Sequence, residues 1–329
     1  MKRSRVLLVL LVAAVFTAAV GLRVRSLLVT EEVTLRPQGN PPAWAAALPT
    51  PKDYVVHPEV DPAEAGRGPA RIISLAPSIT EIVCALGLRD RLVGRTPYCL
   101  HPPGIESVTA VGALQDPNFE KIKSLSPDLV LVTANSGRLT DGLRQLGIRH
   151  QPVPHDTLEE IYQAIDRVGR VCDRPATAAR LVVLIRADVE ALHAAAAGHV
   201  PVRRPVLVSL GELPVPPKAV WVAGPGSFLA GQIELAGWVN AAASMLKVSH
   251  GELSLEGLRA ANPAVILEFR QPVDQRAMLD LYRAWSELGN LEAIRLQRVR
   301  SLGGMEWLSA SPRIALSLHR FIVVLAEFE

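Results

Sequence analysis

Residues 118–132 read NFEKIKSLSPDLVLV, and residues 254–267 repeat their pattern as SLEGLRAANPAVIL. Each stretch begins with a short amphipathic segment, which predicts a helix. A Glu occupies the first turn of each predicted helix, Glu120 in the first copy and Glu256 in the second. The matched position of the two Glu residues favours a duplicated unit over a chance likeness between two helix–strand segments.

A Pro follows each of these Glu residues at the same distance and introduces an apolar run. Because Pro disfavours the helical conformation for the residue before it, the two helices are predicted to end near Ser126 and Asn262. The aliphatic runs after Pro127 and Pro263 are typical of buried parallel strands. A helix–Pro–strand unit that occurs twice therefore predicts two related lobes.

The composition is that of a globular protein. The chain has 329 residues, of which 49% are hydrophobic and 20% charged, so it is long enough for two α/β domains. Its net charge of +3 shows no basic cluster, which argues against nucleic acid as a partner. The three cysteines, Cys84, Cys99 and Cys172, define neither a disulfide framework nor a zinc site, and pairing of Cys84 with Cys99 stays open.

The N-terminus is predicted to direct export. Three basic residues within the first five positions precede an uncharged run of 17 residues, from Val6 to Leu22. Since a membrane span takes roughly 17–25 residues, residues 1–25 are interpreted as either a cleaved signal peptide or an uncleaved anchor. Both place the rest of the chain outside the cytoplasm, in the periplasm or at the cell surface. Residues 26–69 contain eight prolines, which predicts an extended, semi-rigid spacer, with Trp44 and Tyr54 as candidates to dock on the folded body.

Strands and helices are predicted to alternate from Arg71 onward, which indicates an α/β fold with mostly parallel sheets flanked by helices. We assign residues 70–156 to an N-terminal lobe and residues 201–329 to a C-terminal lobe. Residues 157–200 are predicted to be helical, and the long helix from Pro175 to Ala197 is expected to connect the two lobes.

The sequence lacks the common motifs of catalytic and nucleotide-binding sites. The run Gly224-Pro225-Gly226 lacks both the third glycine of a dinucleotide fingerprint and the Lys of a P-loop. GxSxG, HExxH and CxxC are also missing. We therefore expect a protein that is not an enzyme, with no catalytic residues, no resident cofactor and no metal site.

Three stretches carry a resemblance to a known family: RIISLAPSITEIVCALGLRDRLVGRT, VGALQDPNFEKIKSLSPDLVLV and SPRIALSLHRF. They resemble the class III solute-binding proteins of ABC importers, the receptors for vitamin B12, siderophores and haem. The resemblance implies two α/β lobes joined by one long helix, a ligand in the cleft between them, and a small closing motion. It also implies that one acidic residue on each lobe, here Glu120 and Glu256, docks on arginines of the permease dimer.

Ligand-binding residues are expected in loops at the carboxyl ends of the strands. Tyr98 matches an aromatic cleft position of the corrinoid receptors, whereas Leu114 and His250 fall where those receptors carry Trp. The full set of candidates is Ser78, Tyr98, Leu114, Gln115, Asn135, Phe228, His250, Arg270 and Trp307.

The function expected from these features is extracytoplasmic capture of a corrinoid or metal chelate and its delivery to an ABC importer permease. Two alternatives stay open. One is a siderophore or haem receptor of the same class. The other is a membrane-anchored sensor or scaffold that kept the fold without transport.

Overall fold

The computed structural model describes residues 41–200, 202–211, 218–269, 284–288, 290–303 and 309–329. The predicted export segment lies outside these residues, as do Arg270 and Trp307. Among the described residues, no helix combines the length and the apolar character needed to cross a membrane. Residues Pro37–Glu329 form one compact unit that contains both predicted lobes.

The chain begins its described part with helix α1 (Ala43–Ala46) and then enters the N-terminal lobe. That lobe consists of β1 (Ile72–Ser74), α2 (Pro77–Ala85), β2 (Leu92–Arg95), α3 (Phe119–Ser124), β3 (Leu129–Thr133), α4 (Gly137–Gln145) and β4 (His150–Val153). Its four strands lie in the order β2-β1-β3-β4, and every neighbouring pair is parallel. The predicted parallel sheet of this lobe is confirmed.

Two helices lead to the second lobe, α5 (Leu158–Val171) and α6 (Pro175–Ala197). Helix α5 begins at a capping box, in which the Thr157 hydroxyl accepts from the Glu160 N–H while the Glu160 carboxylate accepts from the Thr157 N–H. Helix α6 has 23 residues and is the connector that the sequence predicts.

The C-terminal lobe contains β5 (Pro205–Leu210), β6 (Ala219–Ala223), α7 (Phe228–Leu235), β7 (Val239–Asn240), β8 (His250–Ser254), α8 (Leu255–Ala261), β9 (Val265–Phe269), α9 (Glu292–Arg295), β10 (Val299–Leu302) and α10 (Ile314–Ala326). Its strands lie in the order β10-β9-β5-β6-β8, with β7 beside β5. Strand β6 is antiparallel to both of its neighbours, so this sheet is mixed. The connection from β5 to β6 is too short for the crossover that a parallel pair requires.

The duplicated unit keeps its predicted geometry in both copies. The Asn118 side chain accepts from the backbone of Lys121 at 2.9 Å, and the Ser254 hydroxyl accepts from Gly257 at 3.1 Å, so each helix has a side-chain N-cap.

The two helices also end alike. Ser126, with φ of 44°, and Asn262, with φ of 36°, both adopt the left-handed conformation directly before their Pro. A left-handed residue ends a helix, and Pro keeps its predecessor out of the helical region. The agreement at both ends supports the interpretation of one unit used twice.

The predicted spacer requires a correction, because its described part, residues 41–69, is packed rather than extended into solvent. We call residues 43–69 the N-terminal strap. Glu64 is only 4% exposed, and its carboxylate accepts from the Ala176 N–H, the Thr177 N–H and the Thr177 hydroxyl at 2.6–3.0 Å. These are donors of the first turn of α6, so the strap caps the connector helix.

The strap then follows α6 toward its other end. Tyr54 donates to the Asp188 carboxylate at 3.1 Å, and the Trp44 ring stacks on His199 with ring centroids 4.4 Å apart. Burial and the Asp188 charge raise the pKa of Tyr54 to about 12. The strap runs antiparallel to α6 and forms no β-sheet with it. Prolines, which lack a backbone N–H, are therefore tolerated in the strap, because few of its N–H groups need a hydrogen-bond partner.

One hydrophobic core is shared by the two lobes. A single cluster of buried side chains includes Ile79 of the N-terminal lobe, Ile185 of α6, Val208 of β5 and Phe321 of α10. Two smaller clusters cover the outer face of each sheet. The lobes are thus joined by packed side chains as well as by the chain itself, which favours a small relative motion.

All three cysteines are buried and free, so Cys84 and Cys99 are not bridged. Burial raises the pKa of the Cys84 and Cys172 thiols to about 12. The Cys99 thiol lies 3.0 Å from the Thr80 hydroxyl oxygen. These residues act as core side chains.

Replacing the carboxylate that caps α6 should destabilise the protein. We expect Glu64→Ala to lower the free energy of unfolding by about 2 kcal/mol at pH 7, because buried donors lose their acceptor. Burial by itself raises the pKa of this carboxyl, but the hydrogen bonds from Thr177 and Ala176 outweigh it and the pKa lies below its ordinary value. The stabilisation is therefore complete above about pH 4.3 and is lost as the pH falls below that.

The measurement is urea unfolding at pH 7 and at stepwise lower pH, with the exposed Glu106→Ala as the matched control. A Glu64→Ala variant as stable as the control would contradict the capping role.

Candidate functional site

The two lobes meet where the chain leaves β4. The Phe228 N–H, at the start of α7, donates to the Asp156 carbonyl oxygen at 2.7 Å. A Cβ atom on Gly231 would lie 2.4 Å from the Leu158 side chain, so α7 approaches the first turn of α5 closely at this position. These contacts bring the carboxyl edge of the N-terminal sheet against the C-terminal lobe.

A buried ion pair joins the lobes at a second place. Glu81 of α2 is 2% exposed, and its carboxylate accepts from Arg313 Nε at 3.0 Å and from Arg313 Nη2 at 2.7 Å. The Ser311 hydroxyl donates to the same carboxylate at 2.5 Å. Helix α2 follows the loop at the carboxyl end of β1, so this bidentate pair positions the first cleft loop relative to the C-terminal helix.

The predicted N-terminal candidates lie in loops along one edge of the sheet. Ser78 is in the first turn of α2 and is nearly buried, while Tyr98 is half-buried in the loop after β2. Asn135 follows β3 and is exposed, and Gln115 is exposed in the loop before α3. Leu114 packs partly against the outer hydrophobic cluster of this lobe, so its side chain contributes to packing.

Phe228 and His250 are the described candidates of the C-terminal lobe. The Phe228 ring is 6% exposed and belongs to the shared core, so the structure gives it a packing role and little surface for a ligand. His250 is half-buried at the first position of β8. Burial lowers its pKa below the ordinary value, the Asp156 carboxylate partly offsets that effect, and His155 adds to the lowering.

Sequence reasoning gave no site role to three residues at this junction. His155 and Asp156 follow β4, and the His155 Nδ1 atom is buried with no hydrogen-bond partner. Trp221 of β6 is exposed on the strand beside β8. An isolated Trp in an alternating apolar strand carries no signal of exposure, because either face of such a strand can be buried.

Glu120 and Glu256 are both exposed, each at the second residue of its helix. Neither carboxylate has an ion pair or hydrogen bond within the part of the chain that the structure describes. Each helix leads through a short turn into a parallel strand, so its N-terminus lies near the carboxyl end of that strand. The two carboxylates therefore occupy equivalent places, one on each lobe, at the edges where the cleft loops lie.

Two cavities lie away from these residues. One of about 520 Å³ opens at the amino ends of β3 and β4, and another of about 420 Å³ lies beside the end of α8. Neither is lined by a predicted ligand residue. No group of three or more His, Cys, Asp or Glu side chains in the described ranges is arranged to hold a metal ion.

The arrangement of two α/β lobes about a helical connector matches a known family. The sequence model of the periplasmic binding proteins covers residues 72–304. The chain belongs to this family. The predicted membership of the substrate-binding proteins of ABC importers is thereby confirmed, and the N-terminal strap precedes the part that the family shares.

Individual family members agree with this assignment. A vitamin B12-binding protein of Vibrio cholerae is 30% identical over 241 residues, which cover 73% of this chain and 82% of that protein. An ABC transporter substrate-binding lipoprotein of Bacillus subtilis is 36% identical over 127 residues, covering 37% of this chain and 40% of that one.

A solved structure of the family has the same fold. The apo form of the periplasmic haem-binding protein RhuT from Roseiflexus sp. RS-1 superposes with a TM-score of 0.66 at 25% identity, covering 79% of this chain and 98% of that one. The family and these relatives are binding proteins.

Removing one partner of the interlobe ion pair should lower the free energy of unfolding far more than removing both partners. We expect Arg313→Met to lower the free energy of unfolding by about 3–5 kcal/mol, because the Glu81 carboxylate stays buried without its cation. The double variant Glu81→Leu with Arg313→Met should have a higher free energy of unfolding than Arg313→Met alone. Chemical denaturation of the four proteins of this cycle measures the coupling.

Arg144→Met is the control, because Arg144 pairs with Asp141 on the surface at 2.6 Å and its loss should cost below about 0.5 kcal/mol. A double variant as unstable as the sum of the two single variants would show that Glu81 and Arg313 are not coupled.

Proposed function

We propose that this protein captures a corrinoid or another metal chelate between its lobes, outside the cytoplasm, and delivers it to the permease of an ABC importer. The observation that carries the proposal is the pair of exposed carboxylates, Glu120 and Glu256, at equivalent helix N-termini on the two lobes. The ligand cleft lies between the lobes, so a partner that engages both carboxylates covers the cleft opening.

Charge and geometry support a permease as that partner. A carboxylate with no internal partner is free to form a bidentate pair with an arginine, which is a strong and directional contact. Two such contacts on separate lobes fix the orientation of the protein on the permease. A Glu in a first helical turn also complements the helix dipole, but that effect does not require the same position in both lobes.

The ligand class is supported by the relatives and by the chemistry of the cleft edge. A vitamin B12-binding protein is among the relatives, and Tyr98 and His250 are half-buried aromatic and heterocyclic side chains of the kind that contacts large ligands. The export segment and the family both support an extracytoplasmic location, with residues 6–22 as signal or anchor.

One observation favours haem as a second candidate ligand. Burial lowers the pKa of His250, which favours its neutral imidazole, and neutral imidazole is a good ligand for iron. A haem-binding protein is also among the solved structures with the same fold.

The docking role predicts a loss of transport without a loss of binding. We expect Glu120→Ala with Glu256→Ala to reduce ligand uptake by cells at least about tenfold, because two charged interface contacts are removed. The dissociation constant of the ligand should not change, since neither residue is among the proposed ligand contacts.

The matched control is Glu106→Ala with Glu234→Ala, which removes the same charge from exposed positions. Uptake by the docking variant equal to that of this control would overturn the docking role and favour a sensor or scaffold that uses the same fold.

The ligand class predicts a specific rise in melting temperature. The full chain is heated with cyanocobalamin, haemin, a ferric hydroxamate siderophore or ferric iron alone, each in excess. A ligand present at about one hundred times its dissociation constant should raise the melting temperature by about 5 °C or more, because it binds only the folded state. No shift with any of the four would contradict the proposed ligand class.

A further inference from the structure

Three arginines lie at the amino edge of the C-terminal sheet. Arg203 precedes β5, and Arg295 and Arg298 precede β10. Arg203 and Arg295 are exposed and Arg298 is half-buried, and within the described ranges none of their guanidinium groups forms an ion pair or a hydrogen bond. Their charges are therefore not neutralised locally, unlike that of Arg300, which pairs with Glu327 at 3.3 Å.

The strand register brings these arginines together. Strands β5, β9 and β10 are parallel neighbours, and Ile266 of β9 pairs with both Leu207 of β5 and Val299 of β10. All three strands therefore start at the same edge of the sheet. Because adjacent strands lie about 4.8 Å apart, the chain before β5 and the chain before β10 are separated by about 10 Å.

Positive charge is in excess at this edge. Arg204 is close enough to Glu329 for its charge to lower the pKa of that carboxyl, which burial raises above its ordinary value. Glu292 of α9 also belongs to this edge, since its N–H donates to the Asn262 side chain directly before β9. These two acidic residues face four arginines, so the edge attracts anions.

Apolar side chains are exposed beside the arginines. Val202 is 60% exposed, Leu296 is 44% exposed and Val239, opposite Pro205 at the start of β5, is 36% exposed. Val202 and Leu296 each adjoin one of the exposed arginines in sequence. We call residues 202–204, 239 and 295–298 the basic edge. Basic and apolar side chains on one surface are typical of contact with a membrane interface.

The N-terminal strap reaches the body beside the basic edge. The Trp44 ring stacks on His199, three residues before Val202. Only residues 23–43 separate Trp44 from the apolar run 6–22, and a chain of that length spans at most about 70 Å. With this run as an anchor, the body stays so close to a membrane that even a weak contact with lipid forms often.

We propose that the basic edge is a docking surface for the headgroups of anionic phospholipids. Guanidinium groups form bidentate hydrogen bonds with phosphate oxygens, and each basic side chain near an anionic bilayer adds to the attraction. The exposed Val202 and Leu296 side chains enter the headgroup layer beside them. This inference goes beyond the proposed function and depends on neither the ligand nor the permease.

The basic edge lies opposite the edge that carries Glu256. Strands β5 and β8 are both antiparallel to β6 and hence run in the same direction, and Glu256 follows the carboxyl end of β8. Contact of the basic edge with lipid therefore holds Glu256 away from the bilayer. Lipid contact and permease docking are alternative states of one molecule, and the lipid contact retains the protein at the membrane between deliveries.

The test measures binding of the full chain to vesicles of phosphatidylcholine, alone or mixed with phosphatidylglycerol. We expect flotation to show preference for the anionic vesicles, and Arg203→Gln with Arg298→Gln to lower that partition coefficient about 25-fold, about fivefold for each arginine. The preference should disappear at about 1 M salt, because salt screens the charges. The N-terminal segment is the same in both proteins and contributes equally.

A second readout covers the case in which the N-terminal segment binds the protein fully to both kinds of vesicle. Hydrogen exchange of the vesicle-bound full chain should then be at least about fivefold slower at the amides of residues 202–204 and 295–298 on anionic vesicles than on neutral ones. The double variant should lose this protection. The melting temperature without vesicles reports whether each variant is folded.

Arg138→Gln with Arg149→Gln is the matched control, because it removes the same charge from exposed positions of the N-terminal lobe. Equal losses in the two double variants would overturn the inference, since binding would then follow net charge alone. Equal binding and exchange of the native protein on both kinds of vesicle would also overturn it. A dimer that only the Arg203 and Arg298 variant disrupts in ultracentrifugation would assign the edge to a second copy instead. Ligand uptake is not measured, so the proposed function stands or falls separately.

Discussion

The structure depends on one constraint: both lobes bury side chains against the same connector helix, α6. The shared core extends from Ile79 through Ile185 to Phe321 without interruption. A linker of this kind differs from a flexible hinge, because relative motion of the lobes would have to separate close-packed side chains. The strap adds a second layer along the helix, from the cap at Glu64 to the ring stack of Trp44 on His199.

Two buried carboxylates, Glu64 and Glu81, also hold these elements in place. Glu64 satisfies backbone donors of α6, and Glu81 holds Arg313 across the lobes. A buried charge is tolerated only where its partners are fixed in place, so each carboxylate links the positions of elements that are distant in sequence. The relative position of the lobes is thus set largely in advance, and a preorganised site between them would lose less entropy on binding.

The two packed lobes expose two separate surfaces. Glu120 and Glu256 are exposed at equivalent helix N-termini, one on each lobe. His250 and Trp221 project from the same face of the C-terminal sheet, and His250 lies near His155 and Asp156 of the other lobe. On the proposed function, one compact body presents a face for a ligand and a pair of contacts for a permease.

The sequence by itself determined the local units and their repetition. Interactions within a few residues determine the helix caps, the Pro that ends each repeated helix, and the bounds of α6. For this reason the two lobes and the matched Glu positions could be predicted. Only the tertiary structure decided what long-range packing controls. It placed the proline-rich strap on α6 instead of in solvent, buried Phe228 in the core, and made β6 antiparallel to both of its neighbours. Each of these three outcomes depends on which distant part of the chain a segment packs against. Local sequence patterns do not determine such long-range contacts.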